Sequence, residues 1–484
     1  MVIAKGHRVS EQERNVTDVI VIGAGAVGEN VAERVVKGGL EAILVETELV
    51  GGECSYWACM PSKALLRSSA VLHAARNVDG AKQAITGEID VAAVLKRRDS
   101  FTSNWDDSSQ VEWVEEAGIT LRRGYGRLVG ERQVEITARD GSVECWEARQ
   151  AVVLANGSTP TIPKIDGIDT VRIWGTREAT SAKSIPPRLA VLGGGVAGVE
   201  LAQAFARLGS KVTVIARGGL LSGFPKPAVE LVAEGLEADG ITLLLNTTTS
   251  SLSQSEGGPI TIAVEGGEPV IVDEVLVSTG RHPATEDVGL DSVGVTSKKL
   301  TVGADGRVKD VPAGWLYAVG DVAGKALLTH QGKYEARMTG NAIVARAAGK
   351  LGDEVEAWSR YASTADEFAV PSVVFTDPEL VMVGRNESQA RDAGLNVRTV
   401  DLDLDVAGAS LHADGYTGWA QIVVDEGKGV IVGVAFAGQD VSEMLHAATI
   451  AIVGEVPLTR LWHAVPAYPT MNEVWLRLLE AYGL

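Results

Sequence analysis

The sequence predicts an α/β chain: two βαβ units of one design, then an α+β domain. Three observations predict it. An apolar strand, a glycine turn and a helix start occur at Val19–Ala32 and recur, without a gap, at Leu189–Ala202. Each copy runs through a helix into a second apolar strand, Ala42 to Val45 and Lys211 to Ile215. From about Trp358 the pattern changes to alternating strands, Ser372 to Phe375, Ala420 to Val424 and Gly429 to Phe436, followed by helices.

The elements between these landmarks set the expected domains. Two further apolar strands, Ala151–Ser158 and Glu274–Arg281, each close on a glycine turn. Pro160 and Pro163, then Pro186 and Pro187, mark a boundary after the first of them. The second unit is therefore read as inserted into the first, which resumes through Leu316–Val322. The expected spans are 1–160 and 284–357 for the first domain, 161–283 for the second and 358–484 for the last. A chain of 484 residues suits such a division, at about 150 residues per domain.

Composition narrows the partners. The net charge is −19, with no basic footprint for nucleic acid or an anionic membrane surface. No apolar run reaches 18 residues, and Met1 to Val16 lacks the apolar core of a signal peptide. Three cysteines, Cys54, Cys59 and Cys145, are too few for a secreted disulfide framework. A cytoplasmic protein without nucleic-acid or membrane partners is expected. Glycine is in excess, 55 residues or about 11% against roughly 7% in ordinary chains, which fits close approaches to a phosphate-rich ligand.

Both βαβ units carry Gly-x-Gly-x-x-Gly where it has a mechanical meaning, between strand and helix. Gly23 and Gly193 permit the turn, Gly25 and Gly195 let backbone N–H groups reach a pyrophosphate, and Gly28 and Gly198 let helix and strand pack closely. Two Rossmann-like units imply two dinucleotides. An acidic residue about 20 positions on binds the adenosine ribose. Glu46 ends the second strand of the first unit; the same count in the second reaches Ala216, then Arg217. The first site thus suits an unphosphorylated ribose. Arg217 favours NADPH over NADH at the second, against the alternative of a solvated strand-end charge.

Cys54 and Cys59 follow directly on the first unit. Five residues of ideal helix span about 7.5 Å, whereas a disulfide wants Cα atoms about 4.4–6.8 Å apart. If the two are bonded, the helix start is distorted, and a small strained loop makes a labile disulfide. The alternative is two buried thiols. Cys145, in a strand-like context, is read as structural.

With these residues the chain resembles the flavoprotein disulfide reductases, the class I pyridine nucleotide-disulfide oxidoreductases that include dihydrolipoamide dehydrogenase and mercuric reductase. The resemblance rests on Gly51-Gly52, Cys54, Cys59 and Pro61-Ser62-Lys63, on Tyr317–Asp321, and on Val373–Glu379 followed by Val383-Gly384. It implies FAD at the first site, with Glu46 on its ribose and Asp321 on its ribityl or phosphate side. Further cofactor-binding positions fall at Gly52, Gly126, Gly157, Thr329 and Gly280. It implies a redox-active disulfide, with Cys59 as the flavin-side thiol and Cys54 as the outer interchange thiol. Lys63 and Glu200 would pair near the reactive flavin nitrogen, where a cation favours reduced flavin. It also implies a homodimer in which the C-terminal segment completes the partner's site. No metal site is expected.

One departure bears on the acceptor. Disulfide-substrate members carry His-Pro-x-x-x-Glu near the C-terminus; here the run is Tyr468-Pro-Thr-Met-Asn-Glu473. A phenol titrating near 10 is a poor proton shuttle compared with an imidazole. His463 stands five residues too early to replace it. Tyr at this point resembles mercuric reductases, yet no cysteine follows Cys145 to supply their C-terminal pair. Asn156, where the family commonly has Thr, is a smaller departure. The expected enzyme passes electrons from NAD(P)H through FAD and the cysteine pair to a small-molecule acceptor: quinone, dye, metal ion or disulfide. The alternatives are a lipoamide dehydrogenase with an atypical base, a mercuric reductase-like enzyme without the C-terminal cysteines, or a flavin-bearing interaction protein without turnover.

Overall fold

The first strand owes its place to its composition. β1 (Asn15–Ile22) runs Val-Ile-Val-Ile through its second half, β-branched and buried on both faces, as a central parallel strand requires. The computed structural model describes residues 15–484, so most of the polar stretch at Met1 to Val16 lies outside the described residues. Contacts group the chain into two units: one runs up to Tyr56 and takes in Trp105–Thr159 and Arg281–Thr364; the other takes Trp57–Asn104, Pro160–Gly280 and Ala365–Leu484.

In the first unit the glycine turn leads into α1 (Ala26–Lys37) and back to β2 (Ala42–Glu46), which pairs with β1 in parallel, Val19 opposite Ala42. The sheet continues with β3 (Thr120–Arg123), β4 (Tyr125–Gly130), β5 (Gln133–Thr137) and β6 (Val143–Leu154), in the order β3-β2-β1-β6-β5-β4. The strand Leu316–Ala318 joins in parallel beside β6, Leu316 opposite Val152. Alternate residues face opposite layers. Val19, Val21, Leu44 and Val153 pack with Val31 and Val35 of α1 and Ile343 of the helix Thr329–Ala347. Ile20, Ile22, Val152 and Leu154 enter a second core with Trp315 and Val322.

In the second unit the strands Thr242–Leu244, Lys211–Ile215, Arg188–Leu192 and Glu274–Val277 form a parallel sheet in that order. The helix Val196–Arg207 follows the glycine turn and is buried through Val199, Leu201 and Phe205. A five-stranded antiparallel sheet closes the chain, ordered Ser372–Val374, Glu379–Gly384, Val430–Gly438, Trp419–Asp425 and Val397–Asp403. Its core centres on Phe436, which meets Trp475 edge-on at 5.6 Å. Among the described residues no helix is long and apolar enough to cross a membrane, and no group of three His, Cys, Asp or Glu is placed to hold a metal ion.

Candidate active site

The first cradle is built from positions that reject side chains. Gly23 has φ +101°, and a Cβ there would stand 2.5 Å from the Ala155 carbonyl oxygen. A Cβ on Gly28 would stand 1.9 Å from the Gly23 carbonyl oxygen, so the helix start lies directly on the turn. Gly25 differs: nothing lies within 4 Å of where its Cβ would be, and Gly52 packs against its Cα. The open space and the positive end of α1 together suit a phosphate group.

Polar groups of the same unit add donors and acceptors. Glu46 accepts from the Ala24 N–H and the Glu48 N–H, each at 2.8 Å, and burial raises its carboxyl despite those donors. The Thr47 N–H also donates to it, and the remaining lone-pair capacity suits a ligand hydroxyl. The Asp321 carboxylate accepts from Ser158 Oγ at 2.5 Å, and Ser158 Oγ accepts from Arg281 Nε at 2.7 Å. Asn156 donates to the Ala284 carbonyl at 2.7 Å while its Oδ1 is buried without a partner among the described residues. Gly126 sits in β4, Gly157 follows β6 at φ +78°, and Thr329 opens the helix Thr329–Ala347. Free lone pairs, an orphaned acceptor and a side-chain-free opening fit a dinucleotide with unmodified ribose hydroxyls, as FAD is.

Sequence reasoning missed Glu29 in this unit. Its Oε1 is buried and without a partner among the described residues, and burial pushes its carboxyl up to about 7, with Lys333 pulling it down and Glu46 adding to the rise. No local signal distinguishes a buried glutamate from the usual exposed helix glutamate.

The second cradle repeats the first. Gly193 has φ +121° with a Cβ position 2.2 Å from the Ser278 carbonyl oxygen, Gly198 would meet the Gly193 carbonyl oxygen at 2.7 Å, and Gly195 opens onto empty space. Gly195, Val196 and Ala197 are exposed, whereas Gly25, Ala26 and Val27 are half-buried. Past the strand Lys211–Ile215, Ala216 is buried and Arg217 exposed, with no carboxylate at the strand end. Gly280 ends the neighbouring strand turn at φ +111°.

Between Cys54 and Cys59 the helix breaks rather than bends. Cys54 lies in α2 (Gly52–Tyr56), and Cys59 is the first residue of α3 (Cys59–Arg76), with Ala58 at φ −130°, ψ −94° between them. Both cysteines are half-buried. Cys59 thus stands at the positive end of an 18-residue helix. One turn on, Lys63 Nζ lies 2.6 Å from Glu200 Oε2. Glu200 is 2% exposed, and its Oε1 accepts from the Phe375 N–H at 2.9 Å. The Phe375 ring lies 4.9 Å from the Lys63 ammonium. The sequence pairs Lys63 with Glu200 only through resemblance, and Phe375 enters it only as part of the Val373–Glu379 segment.

At the C-terminus Tyr468 is 76% exposed. Glu473 opens the helix Glu473–Tyr482 and is buried; its Oε1 accepts from Arg477 at 2.6 Å, while Oε2 is without a partner among the described residues. His463 is exposed, and Cys145 lies in β6 opposite Glu135.

Comparison with known proteins accords with this geometry. Residues 17–349 match the family described as pyridine nucleotide-disulphide oxidoreductase, and residues 370–478 match its dimerisation domain. A dihydrolipoyl dehydrogenase of Thermus scotoductus is 31% identical over 96% of this chain and 97% of its own. A mercuric reductase of Staphylococcus aureus is 29% identical over 94% of this chain and 80% of its own. The solved structure of the HOCl-induced flavoprotein disulfide reductase RclA from Escherichia coli superposes with a TM-score of 0.79 at 23% identity, covering 96% of this chain and 99% of that one, and shows the same fold. The chain belongs to the pyridine nucleotide-disulphide oxidoreductases, enzymes that use FAD and NAD(P)H, and it carries their dimerisation domain.

Proposed function

We propose that this enzyme takes electrons from NADPH, and less well from NADH, and delivers them through the Cys54–Cys59 pair to an acceptor that needs no imidazole acid, such as a quinone, a dye or a metal ion. The observation that carries the reading is Tyr468, exposed where disulfide-reducing relatives place their histidine. Bound FAD supplies the conversion between a nicotinamide hydride and electrons a disulfide can take. Cys59, at the helix start, is the thiol on the flavin side, and Cys54 exchanges with the acceptor. Lys63, held by Glu200, places a positive charge where reduced flavin is negative. Arg217, exposed beside the second cradle with no competing carboxylate, receives a 2′-phosphate.

In the homodimer the partner's Tyr468 and Glu473 face the cysteine pair. A phenol there shuttles protons poorly at neutral pH, and general acid–base help is worth about 10²–10⁴ in rate. A second reading, lipoamide dehydrogenase with an atypical base, draws support from Glu473, whose buried Oε2 is without a partner among the described residues. Anaerobic titration with NADPH and NADH, followed by assays with quinone, dye, metal-ion and dihydrolipoamide substrates, separates the two. Slow dihydrolipoamide oxidation that rises about tenfold or more in Tyr468→His supports the first reading. Fast oxidation by the unaltered enzyme establishes the second.

A further inference from the structure

The Lys63–Glu200 pair joins two helices, and a third segment touches both. Glu200, Gln203 and Arg207 lie at i, i+3 and i+7 on the helix Val196–Arg207, hence on one face. All three grip residues Phe375 to Asp377. The Phe375 N–H donates to Glu200 Oε1 at 2.9 Å. The Asp377 N–H donates to Gln203 Oε1, and Gln203 Nε2 donates back to the Asp377 carbonyl, both at 2.8 Å. Arg207 Nη1 donates to Asp377 Oδ2 at 2.9 Å, and Arg207 Nε to Asp239 at 2.8 Å. From the other side, His73 of α3 meets the same Asp377 oxygen through Nδ1 at 2.5 Å. Burial alone would raise the Asp377 carboxyl; His73 and Arg207 hold it below the ordinary range.

A carboxylate as buried as Glu200 needs both oxygens satisfied. Lys63 satisfies one and the Phe375 N–H the other. Without the second, the carboxylate turns about its broad terminal torsion and carries the lysine with it. The ring of Phe375 restrains the ammonium from a further direction. His73 stands ten residues beyond Lys63, so the Asp377 clasp fixes α3 about 15 Å farther along its axis. One short segment sets the placement of a charge pair that α3 and the cradle helix carry.

We propose that Phe375–Asp377 is a positioning element of the redox site: Phe375 orients the Glu200–Lys63 pair, and Asp377, clasping His73 and Arg207, keeps the two helices in the register that pair requires. This rests on the reading of Lys63 as the cation beside the flavin. Phe375 and Asp377 act through Lys63 and Glu200.

The test uses purified holoenzyme carrying Phe375→Leu, which keeps the N–H and loses the ring, or Asp377→Asn, which keeps the shape and loses the charge. Lys63→Met is the reference. Three quantities are read: the flavin midpoint potential, the thiolate–flavin absorbance band and the melting temperature. Lys63→Met lowers the potential. Phe375→Leu and Asp377→Asn shift it the same way by less, so that the ratio of reduced to oxidised flavin at a fixed potential falls about three- to tenfold. A shift in Lys63→Met with none in either other variant, whatever happens to melting, overturns the proposal and leaves the reading of Lys63 intact. No shift in Lys63→Met removes that reading and the proposal together. Should Asp377→Asn fail to fold, the potential of Phe375→Leu decides.

Discussion

At the scale of single residues, Glu29 carries a measurable consequence. Its carboxyl is pushed from 4.5 to about 7 by burial, so the folded protein holds a proton that the unfolded chain releases. The stability this contributes is full below about pH 4.5 and is lost as pH rises to about 7, the folded state binding more protons throughout that window. The change amounts to about 3 kcal/mol at most. Glu29→Gln should therefore show a flatter profile, gaining on the native protein between pH 5 and pH 7 in denaturant midpoints. Parallel profiles for the two proteins would exclude the account. Glu29 and Phe375 were illegible in the sequence for related reasons: the burial of Glu29 and the contacts of Phe375 with Lys63 and Glu200 depend on segments distant in the chain, and neither residue breaks a local pattern. The positions of Glu46 and Arg217, at and just past their strand ends, were legible because a strand end is reached by counting from a glycine.

At the scale of elements, the two cradles make separable predictions for their glycines. Gly28→Ala places a Cβ 1.9 Å from the Gly23 carbonyl oxygen, so the first βαβ unit must distort, and lower melting with loss of bound flavin is expected. Gly25→Ala meets nothing within 4 Å. It should melt like the native apoprotein yet bind FAD at least tenfold more weakly, because the methyl enters the space a pyrophosphate uses. Flavin content after gel filtration and apoprotein melting check both. The βαβ units were readable because glycine spacing and apolar strands are local signals. The strand Val397–Asp403 was not: it buries only Val397 and Val400, and pairing with Trp419–Asp425 selects its conformation. The break between α2 and α3 was foreseen only as a requirement of a bonded pair, because nothing in Trp57-Ala58 is itself a helix breaker.

At the scale of the molecule, the dimerisation domain indicates a homodimer. Its surface carries large apolar side chains: Leu411 at 72%, Ile450 at 58% and Val465 at 87% exposure. Ile450 projects from the helix Leu445–Val453, whose Ala448 and Ile452 are buried. Ile450→Glu should shift the protein toward monomer in sedimentation, with flavin retained and acceptor reduction falling about tenfold or more, since a charge in an apolar interface costs several kcal/mol. A fully active monomer would contradict the shared site. The unequal exposure of the two glycine turns, half-buried in the first and open in the second, predicts different lifetimes for the two nucleotides. The first is expected to stay as a resident, colouring the protein yellow through purification. The second is expected to come and go, arriving reduced and leaving oxidised on each cycle.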